Sequence, residues 1–411
     1  NDWMDEFKLR FSLGQTGNSA SGASLYLGSY ASGNNYMDMS AITPSSMQLN
    51  KLKWETTTEY NTGLDATFLK GKLRFTVDVY QKYVKDLLQP KVKMPTTIGY
   101  GNGYQISYMN SGKMTNKGWE FRVDAVPFQN KDWRVGVYFN IAHNENKITE
   151  MPDNYIEENY TFGNGNYAYR REEGRPMGSF YGYRYKGVYQ NKDATYARDI
   201  EGNVMKDISG NAIVMRNGSY TVAPGDAIYE DVNHDGVINQ YDIVYLGNSN
   251  PRLTGGAGLN VSYKQFKLSA IFYGRYGQDV VNATRLNNES MRGIDNQSTA
   301  VLRRWRNEGD QTDIPRALYG EGYNTLGSDR FVEDASYLRL KSLSFTYRLP
   351  KKAIQRWGFN NIDVYVTGYN LFTWTKYTGQ DPEVKTENTY ARDTATTPAS
   401  IQLVAGFNLS F

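Results

Sequence analysis

The chain has 411 residues, a formal net charge of +3 and no cysteine. So small a charge gives no indication of a basic surface that binds nucleic acid. A mean hydropathy of -0.64 argues against a bundle of membrane-spanning helices. A membrane β-barrel stays compatible with these values, because its strands are apolar only at every second residue. The absence of cysteine fits a compartment in which stray thiols are oxidised.

The first half of the chain alternates between apolar and polar residues, which predicts β-strands. The chain starts at Asn1 without an initiator methionine or a signal peptide, so we expect a piece of a longer protein. The predicted strands lie near residues 7–11, 54–68, 73–79, 119–125 and 133–141. Short turns at 70–71 and 129–132 separate some of them, and long polar connections at 15–50 and 90–113 separate the others.

The second half repeats the pattern. Strands are predicted near residues 252–264, 266–277, 335–349, 361–374 and 401–411. A phase slip near Lys341 predicts a β-bulge in the third of these. The connections again differ in length, with short turns at 264–265 and 350–360 and long polar stretches at 278–334 and 375–399.

Two architectures fit alternating strands: a soluble sandwich with its apolar face inward, and an outer-membrane barrel with its apolar face toward lipid. The polar parity carries mid-strand charges, which either a watery lumen or the outer face of a sandwich accepts: Arg10, Arg74, Asp78, Glu120, Arg122, Asp124, Lys267, Arg348 and Asp363. Alternation between short and long connections is typical of membrane barrels, and a sandwich has no reason to keep it. The sequence therefore predicts an all-β, antiparallel transmembrane β-barrel.

Strand direction limits the number of strands. If Phe411 lies at the periplasmic end, an even number of crossings must fall between residues 148 and 251. We expect two, near 164–172 and 178–190, which gives about twelve strands in the chain. No crossing in that interval is the alternative. In both cases 191–250 is expected to be a long extracellular loop.

One twelve-residue stretch of that loop has the spacing of a calcium loop. The expected ligands are Asp231, Asn233, Asp235, Val237 through its carbonyl, Asn239 and Asp242. Gly236 stands at the sixth position, where the backbone needs a residue that tolerates positive φ. The twelfth position departs from the EF-hand pattern, because aspartate replaces the longer glutamate. The spacing predicts a structural Ca²⁺ site, and a turn without an ion is the alternative.

Nine stretches carry a family resemblance: FKLRFSLGQTGN (7–18), LKWETTTEYNTGLD (52–65), MNSGKMTNKGWEF (109–121), FNIAHNENKI (139–148), EGRPMGSFYGYRYKGVYQ (173–190), PGDAIYEDVNHDGVINQYDIVYLGNSNPRLTGGAGLNVSYKQFKLS (224–269), ASYLRLKSLSFTYRLP (335–350), VYVTGYNLFTWTKYTGQDPEV (364–384) and GFNLSF (406–411). In this order they resemble the C-terminal part of a TonB-dependent outer-membrane transporter of the SusC/RagA type from Bacteroidota. Because the stretches span most of the chain, the resemblance covers the whole of it rather than one motif.

The resemblance implies that residues 1–411 form the C-terminal part of a twenty-two-stranded barrel. It implies a place in the bacterial outer membrane, a SusD-like surface lipoprotein as a lid, and uptake of oligosaccharides or peptides driven by the TonB system through a plug. The chain lacks that plug and the earlier strands, so the remaining N-terminal barrel and plug segment are expected partners. Membrane lipid is another expected partner, since the strands of a barrel turn their apolar face toward it. An incomplete barrel would expose strand edges that a bilayer does not tolerate, which is a further reason to expect the missing segment.

Other sites are weaker. No pair of carboxylates stands out as a general acid and base, so we expect no enzyme. Tyrosines 155, 160, 167, 169, 181, 183, 185 and 189 could stack on a substrate, but loop packing and an aromatic girdle explain them more simply. Phe411 resembles the terminal assembly signal of outer-membrane strands, with edge packing as the alternative. A secreted calcium-binding, glycan-binding β module and a glycan hydrolase remain the rival functions.

Overall fold

The computed structural model describes residues 3–20, 25–94, 96–98, 100, 104–151, 160–387 and 390–411. These residues fall into two compact units. The first is drawn from residues 1–157, 171–177 and 255–268, and the second from residues 158–170, 178–254 and 269–411. Among the described residues, no helix has the length and apolarity that crossing a bilayer requires.

Long antiparallel strands dominate the first unit. Up to residue 150 its strands are β1 (Met4–Asn18), β2 (Ser29–Tyr36), β3 (Met39–Ser46), β4 (Glu55–Phe68), β5 (Leu73–Lys85), β6 (Leu88–Lys93), β7 (Gln105–Asn110), β8 (Lys113–Gln129) and β9 (Trp133–Glu150). The neighbours run β1-β4-β5-β8-β9, and each pair is antiparallel. The hairpins β2–β3 and β6–β7 lie within connections that the sequence predicts only as polar loops.

Short strands then fill the stretch up to residue 248, and long ones resume after it. The short ones are β10 (Ser179–Gly182), β11 (Tyr185–Val188), β12 (Arg216–Asn217), β13 (Tyr220–Thr221), β14 (Ala227–Tyr229), β15 (Val237–Ile238) and β16 (Val244–Asn248). The rest are β17 (Leu253–Tyr263), β18 (Phe266–Tyr276), β19 (Asp279–Asn282), β20 (Val332–Asp334), β21 (Tyr337–Arg348), β22 (Asn361–Thr375), β23 (Thr386–Glu387), β24 (Tyr390–Asp393) and β25 (Gln402–Ser410).

Most of β17 belongs to the first unit, where it lies beside β9, and the second unit contains the order β18-β21-β22-β25. The described helices are short. Two are α-helices, α1 (Ala283–Asn288) and α2 (Lys351–Ile354). The others are 3₁₀ turns at Thr96–Ile98, Asp193–Thr195, Gln240–Asp242, Thr299–Arg303, Asp329–Phe331 and Gln355–Trp357.

In the long strands, the apolar residues of the alternating pattern are exposed on one face of the sheet. In β1, Phe7, Leu9 and Phe11 are all exposed, Phe11 by 75%. The polar parity of the same strand is ion-paired, since Arg10 donates to Asp65 at 2.7 Å. A soluble sandwich would bury its apolar parity, whereas a barrel turns it toward lipid. The arrangement confirms the predicted class of fold, an antiparallel β-barrel that is partial in this chain.

The expectation of two strand crossings between residues 148 and 251 is wrong, and the alternative without a crossing is correct for the described residues. β10 and β11 contain four residues each, too few for the 9–11 residues that a tilted membrane strand needs. Residues 164–172 make only isolated bridges. Tyr181 and Tyr183 are buried to 0% and 1% exposure, so the alternating tyrosines belong to a globular core. The long sheet strands number six in the first unit and four in the second, rather than about twelve.

The predicted bulge and turns are confirmed. The register between β21 and β22 shifts between Leu340 and Ser342, where the sequence predicts a bulge at Lys341. The turn between β4 and β5 is tight because Leu69, Lys70 and Gly71 all have positive φ. The turn between β8 and β9 likewise falls at residues 130–132.

The buried clusters of the second unit lie largely in its connections, although β18, β21 and β22 also bury Ala270, Leu340 and Ile362. One cluster joins Tyr183, Tyr189, Met215, Tyr229 and Ile238 with other buried residues of 183–326. A second cluster is built around Phe180, Val281 and Phe331. Since residues far apart in sequence share these clusters, the long connections form packed structure that can hold fixed binding sites.

Candidate functional site

The loop predicted to bind calcium is tightly wound. The carboxylate of Asp231 accepts hydrogen bonds from the backbone N–H of Gly236 at 2.8 Å and of Asp235 at 3.3 Å. Gly236 has a φ of +80°, as the sixth position of such a loop requires. Asn233 lies beside Asp235, to which its amide donates at 2.9 Å. The loop thus has the expected bend at its centre.

The last expected ligands lie in a short 3₁₀ turn. Asn239 caps this turn by accepting from the N–H of Tyr241, and its amide donates to the carbonyl of Val237 at 3.1 Å. Asp242 is fully buried and accepts from the N–H groups of Val232 and Asn239, each at 2.8 Å. The carbonyl of Val237, an expected ligand, is therefore hydrogen-bonded to the amide of Asn239.

Electrostatics show that the carboxylates of this loop interact. Burial raises the pKa of the Asp242 carboxyl, two backbone N–H groups oppose that effect, and the negative charges of Asp231 and Asp235 raise it further. Among the described residues, no three His, Cys, Asp or Glu side chains converge as a metal site. An EF-type loop also draws on amide and backbone oxygens, so the calcium site stays a prediction.

The tyrosines between 160 and 189 are mostly core residues. Tyr167, Tyr169, Tyr181, Tyr183 and Tyr189 are buried, while Tyr155 lies outside the described residues. The hydroxyl of Tyr183 bonds that of Tyr160 and donates to the carbonyl of Asn239 at 3.0 Å. Burial raises the pKa of Tyr160 to about 12, so its hydroxyl stays protonated. The simpler interpretation, loop packing, fits these side chains better than stacking on a substrate.

A polar cavity of about 920 Å³ lies within the second unit. Its wall comes from the residues after β16, the end of β18 and the connection between β22 and β25. The wall includes six charged residues, and they are Arg275, Asp381, Glu383, Lys385, Arg392 and Asp393. A volume of this size suits a small ligand. We call it the polar cavity below.

The carboxylates of the polar cavity are held by neighbouring donors. Arg339, only 3% exposed, bonds both Asp381 and Glu383, the latter at 2.9 Å. Lys341 donates to Glu383 at 2.8 Å. Burial opposes ionisation of Asp381, but backbone N–H groups and the guanidinium outweigh it and lower the pKa of this carboxyl. Asp393 accepts from the Tyr377 hydroxyl at 2.7 Å.

Comparison with known proteins identifies the fold. A family model described as TonB dependent receptor-like, beta-barrel matches residues 2–371. The chain belongs to this family. Proteins of this family lie in the outer membrane, which confirms the predicted location. With membership of this family, the secreted module and the glycan hydrolase lose their support.

Individual relatives agree. TonB-dependent receptor P3 of Formosa agariphila is 32% identical over 82% of this chain and 32% of its own length. TonB-dependent receptor SusC of Bacteroides thetaiotaomicron is 29% identical over 99% of the chain and 38% of its own length. A structure of the RagAB peptide transporter covers the whole chain at 27% identity with a TM-score of 0.72, and 41% of that protein is matched. The chain is thus of the SusC/RagA type, and it spans less than half the length of these relatives.

Sequence reasoning missed the polar cavity. Its wall combines three stretches that are distant in sequence, and charged residues in polar connections are ordinary. One signal was present in the sequence: Arg339 and Lys341 are two residues apart, next to the predicted bulge, so two basic side chains were expected on one face of the strand. Phe411 is 81% exposed, and its ring lies 4.9 Å from that of Phe359; its role as an assembly signal stays a prediction.

Proposed function

We propose that this chain builds part of the barrel wall and outer connections of a TonB-dependent importer of oligosaccharides or peptides. A SusD-like surface lipoprotein would close the barrel from outside. The TonB system would act through the plug of the family. The names of the relatives support this proposal, since one is called a peptide transporter and another is SusC. Substrate would diffuse through the lumen once the plug has moved.

The observation that carries the proposal is the division of each long strand into two faces. In the register of β21 with β22, Phe345 pairs with Val366, and both are exposed, by 47% and 44%. Three residues further along β21, the polar parity pairs Arg348 with Asp363 through two hydrogen bonds of 2.7 and 2.8 Å. An apolar outer face and a charged inner face are what a wall between lipid and a wet lumen needs.

Adjacent residues of β21 provide a matched test. Phe345→Arg places a charge on the apolar parity, which costs about 2–4 kcal/mol near the bilayer midplane. Thr346→Arg places the same charge on the polar parity and serves as the control. We expect the first variant, and not the second, to lose the folded barrel in outer membranes, measured by heat-modifiable migration on gels. Equal assembly of both variants, or recovery of the protein without detergent, contradicts the barrel proposal.

Partners and substrate class need a separate measurement. Mass spectrometry of proteins that co-purify from detergent-extracted outer membranes should find a plug-bearing segment and a lipoprotein of the SusD type. Uptake of a labelled peptide or oligosaccharide should depend on a functional TonB system. Uptake that persists without TonB contradicts the proposed energy source.

We also propose that the loop 231–242 binds Ca²⁺ and thereby stiffens the connection 191–250. The donor chemistry supports it, because Asp231, Asp235 and Asp242 bring negative charge together and a bound cation would relieve their repulsion. Asn233 and Asn239 would add amide oxygens, and Val237 would add its carbonyl only after its bond to Asn239 has rearranged.

A double substitution tests the calcium proposal. Asp231→Ala with Asp235→Ala should lower the calcium content of the purified protein and the protease resistance of 191–250. A matched control is Asp199→Ala with Asp207→Ala, since these carboxylates also accept turn N–H groups but lack the ligand spacing. If the metal content is the same in both double variants, the loop is only a turn.

A further inference from the structure

The polar cavity carries positive charge that its own residues leave available. Asp381 and Glu383 are paired with the cations Arg339 and Lys341, whereas Asp393 accepts from the neutral hydroxyl of Tyr377. Lys385 and Arg392 line the same cavity and are exposed, and neither forms an ion pair with an acidic residue whose side chain the structure describes. The hydroxyl of Tyr390 interacts with Arg392 and carries no charge to balance the guanidinium.

A third cation lies nearby. Arg275 donates to the Tyr273 hydroxyl at 3.1 Å, and its charge is partly balanced by Glu383. Arg339 and Lys341, which do not line the cavity, pair with Asp381 and Glu383. Two of the three carboxylates in the wall are thus paired with cations outside it, while Arg275, Lys385 and Arg392 line the open space. Such a surface favours an anionic group, which gains charge-assisted hydrogen bonds from lysine and arginine.

Gln278 gives an independent indication of a ligand. It lines the polar cavity, its side chain is 1% exposed, and its Oε1 has no hydrogen-bond partner among the described residues. A buried carbonyl oxygen without a partner costs free energy, and a donor from a molecule in the cavity would satisfy it. The ligand should therefore present an N–H or O–H group close to its anionic group.

We propose that the polar cavity binds a carboxylate group of the imported oligomer. Lys385 and Arg392 would pair with the carboxylate, and the Gln278 oxygen would accept from an adjacent N–H or hydroxyl of the same molecule. The inference rests on the proposed import function and narrows its substrate class to acidic oligomers. A peptide with a free C-terminus and a saccharide with a uronic acid share this chemistry.

Calorimetry on the detergent-purified protein, with every subunit that co-purifies, distinguishes these sources. The probes are trialanine against trialanine amide, and trigalacturonate against its methyl ester. We expect one acid to bind at least tenfold more tightly than its neutral analogue, which identifies a peptide or a saccharide substrate. Equal binding of acid and neutral analogue in both pairs, or no binding of either acid, overturns the proposal without the need for any variant.

Variants then locate the site. Lys385→Gln with Arg392→Gln should abolish the preference for the acid, while Lys351→Gln with Lys352→Gln removes the same charge from an exposed helix and should keep it. If the Lys385→Gln, Arg392→Gln variant keeps the preference for the acid, the assignment to this cavity is overturned.

TonB-dependent uptake by cells is measured in parallel. If cells import neutral oligomers as well as acidic ones, the proposed import function stands and the proposed carboxylate site is contradicted. If uptake does not need TonB, the proposed import function itself is contradicted.

Discussion

Arg339 shows how one residue organises a connection. Its side chain is 3% exposed and bonds Asp381, Glu383 and Thr373. A buried guanidinium needs such partners, because taking the charge out of water costs several kcal/mol. The two carboxylates come from the connection between β22 and β25, so this single residue on β21 fastens that connection to the strand.

Arg339→Met should release the connection. The substitution removes the guanidinium from Asp381 and leaves Glu383 with Lys341 alone, and we expect a loss on the order of 3 kcal/mol, the lower end for a buried pair because Glu383 is part-exposed. Hydrogen exchange of residues 376–385 and 390–401 measures it. Arg348→Met breaks a pair on the exposed sheet surface and should change exchange little. Similar changes in both variants would show that Arg339 has no special role.

Gly327 permits a close approach of two backbones. A Cβ at this position would collide with the carbonyl of Asn166, and the Gly327 carbonyl accepts from the N–H of Tyr183 at 2.9 Å. Gly327→Ala should therefore destabilise the tyrosine core by about 1–3 kcal/mol. Limited proteolysis of the second unit detects this loss. Gly14→Ala, where a Cβ meets open space, should have no effect, and an equally resistant Gly327 variant would refute the argument.

At the scale of elements, the connection between β22 and β25 should respond to acid. The folded state holds the pKa of Asp381 below its ordinary value, so the unfolded connection binds a proton more readily than the folded one. This stabilisation is fully present above the unfolded value of about 3.9 and is lost as the pH falls through the lower folded value. Relative to the intrinsic rate of an unstructured peptide at the same pH, the protection of 376–385 against hydrogen exchange should therefore fall below about pH 4 in the wild type. In Asp381→Asn this protection should already be low at neutral pH and depend less on pH, and an unchanged profile would exclude Asp381 as the titrating group.

The elements also show what the sequence can predict. β1, β4, β21, β22 and β25 follow from alternation, because each strand has one apolar and one polar face and the period of two is visible locally. β10 and β11 look alike in sequence but are core segments, since Tyr181 and Tyr183 are buried by partners from β14, β16 and residue 327. Such long-range contacts leave no local period. The calcium spacing was visible because its residues are contiguous, whereas the polar cavity joins distant stretches.

At the scale of the whole molecule, chain direction fixes which connections share a side of the membrane. β9 begins after the short turn 130–132 and ends at residue 150, where the long segment up to β17 begins. Membrane barrels keep short turns in the periplasm and long connections outside. We therefore expect the hairpins around 199–203 and 207–211 on the extracellular side. Their tips carry the exposed residues Ile200 and Ile208.

The absence of cysteine makes this orientation directly measurable, since a single introduced thiol has no competitor in the chain. Ile208→Cys should react with a membrane-impermeant maleimide on intact cells, because its side chain is fully exposed on a long connection. Lys131→Cys, in the turn between β8 and β9, should react only after the outer membrane has been permeabilised. Labelling of both positions on intact cells would contradict the assigned orientation, and labelling of Lys131→Cys alone would invert it. In either case the polar cavity and the calcium loop could no longer be assigned to the extracellular side, where imported substrate first arrives.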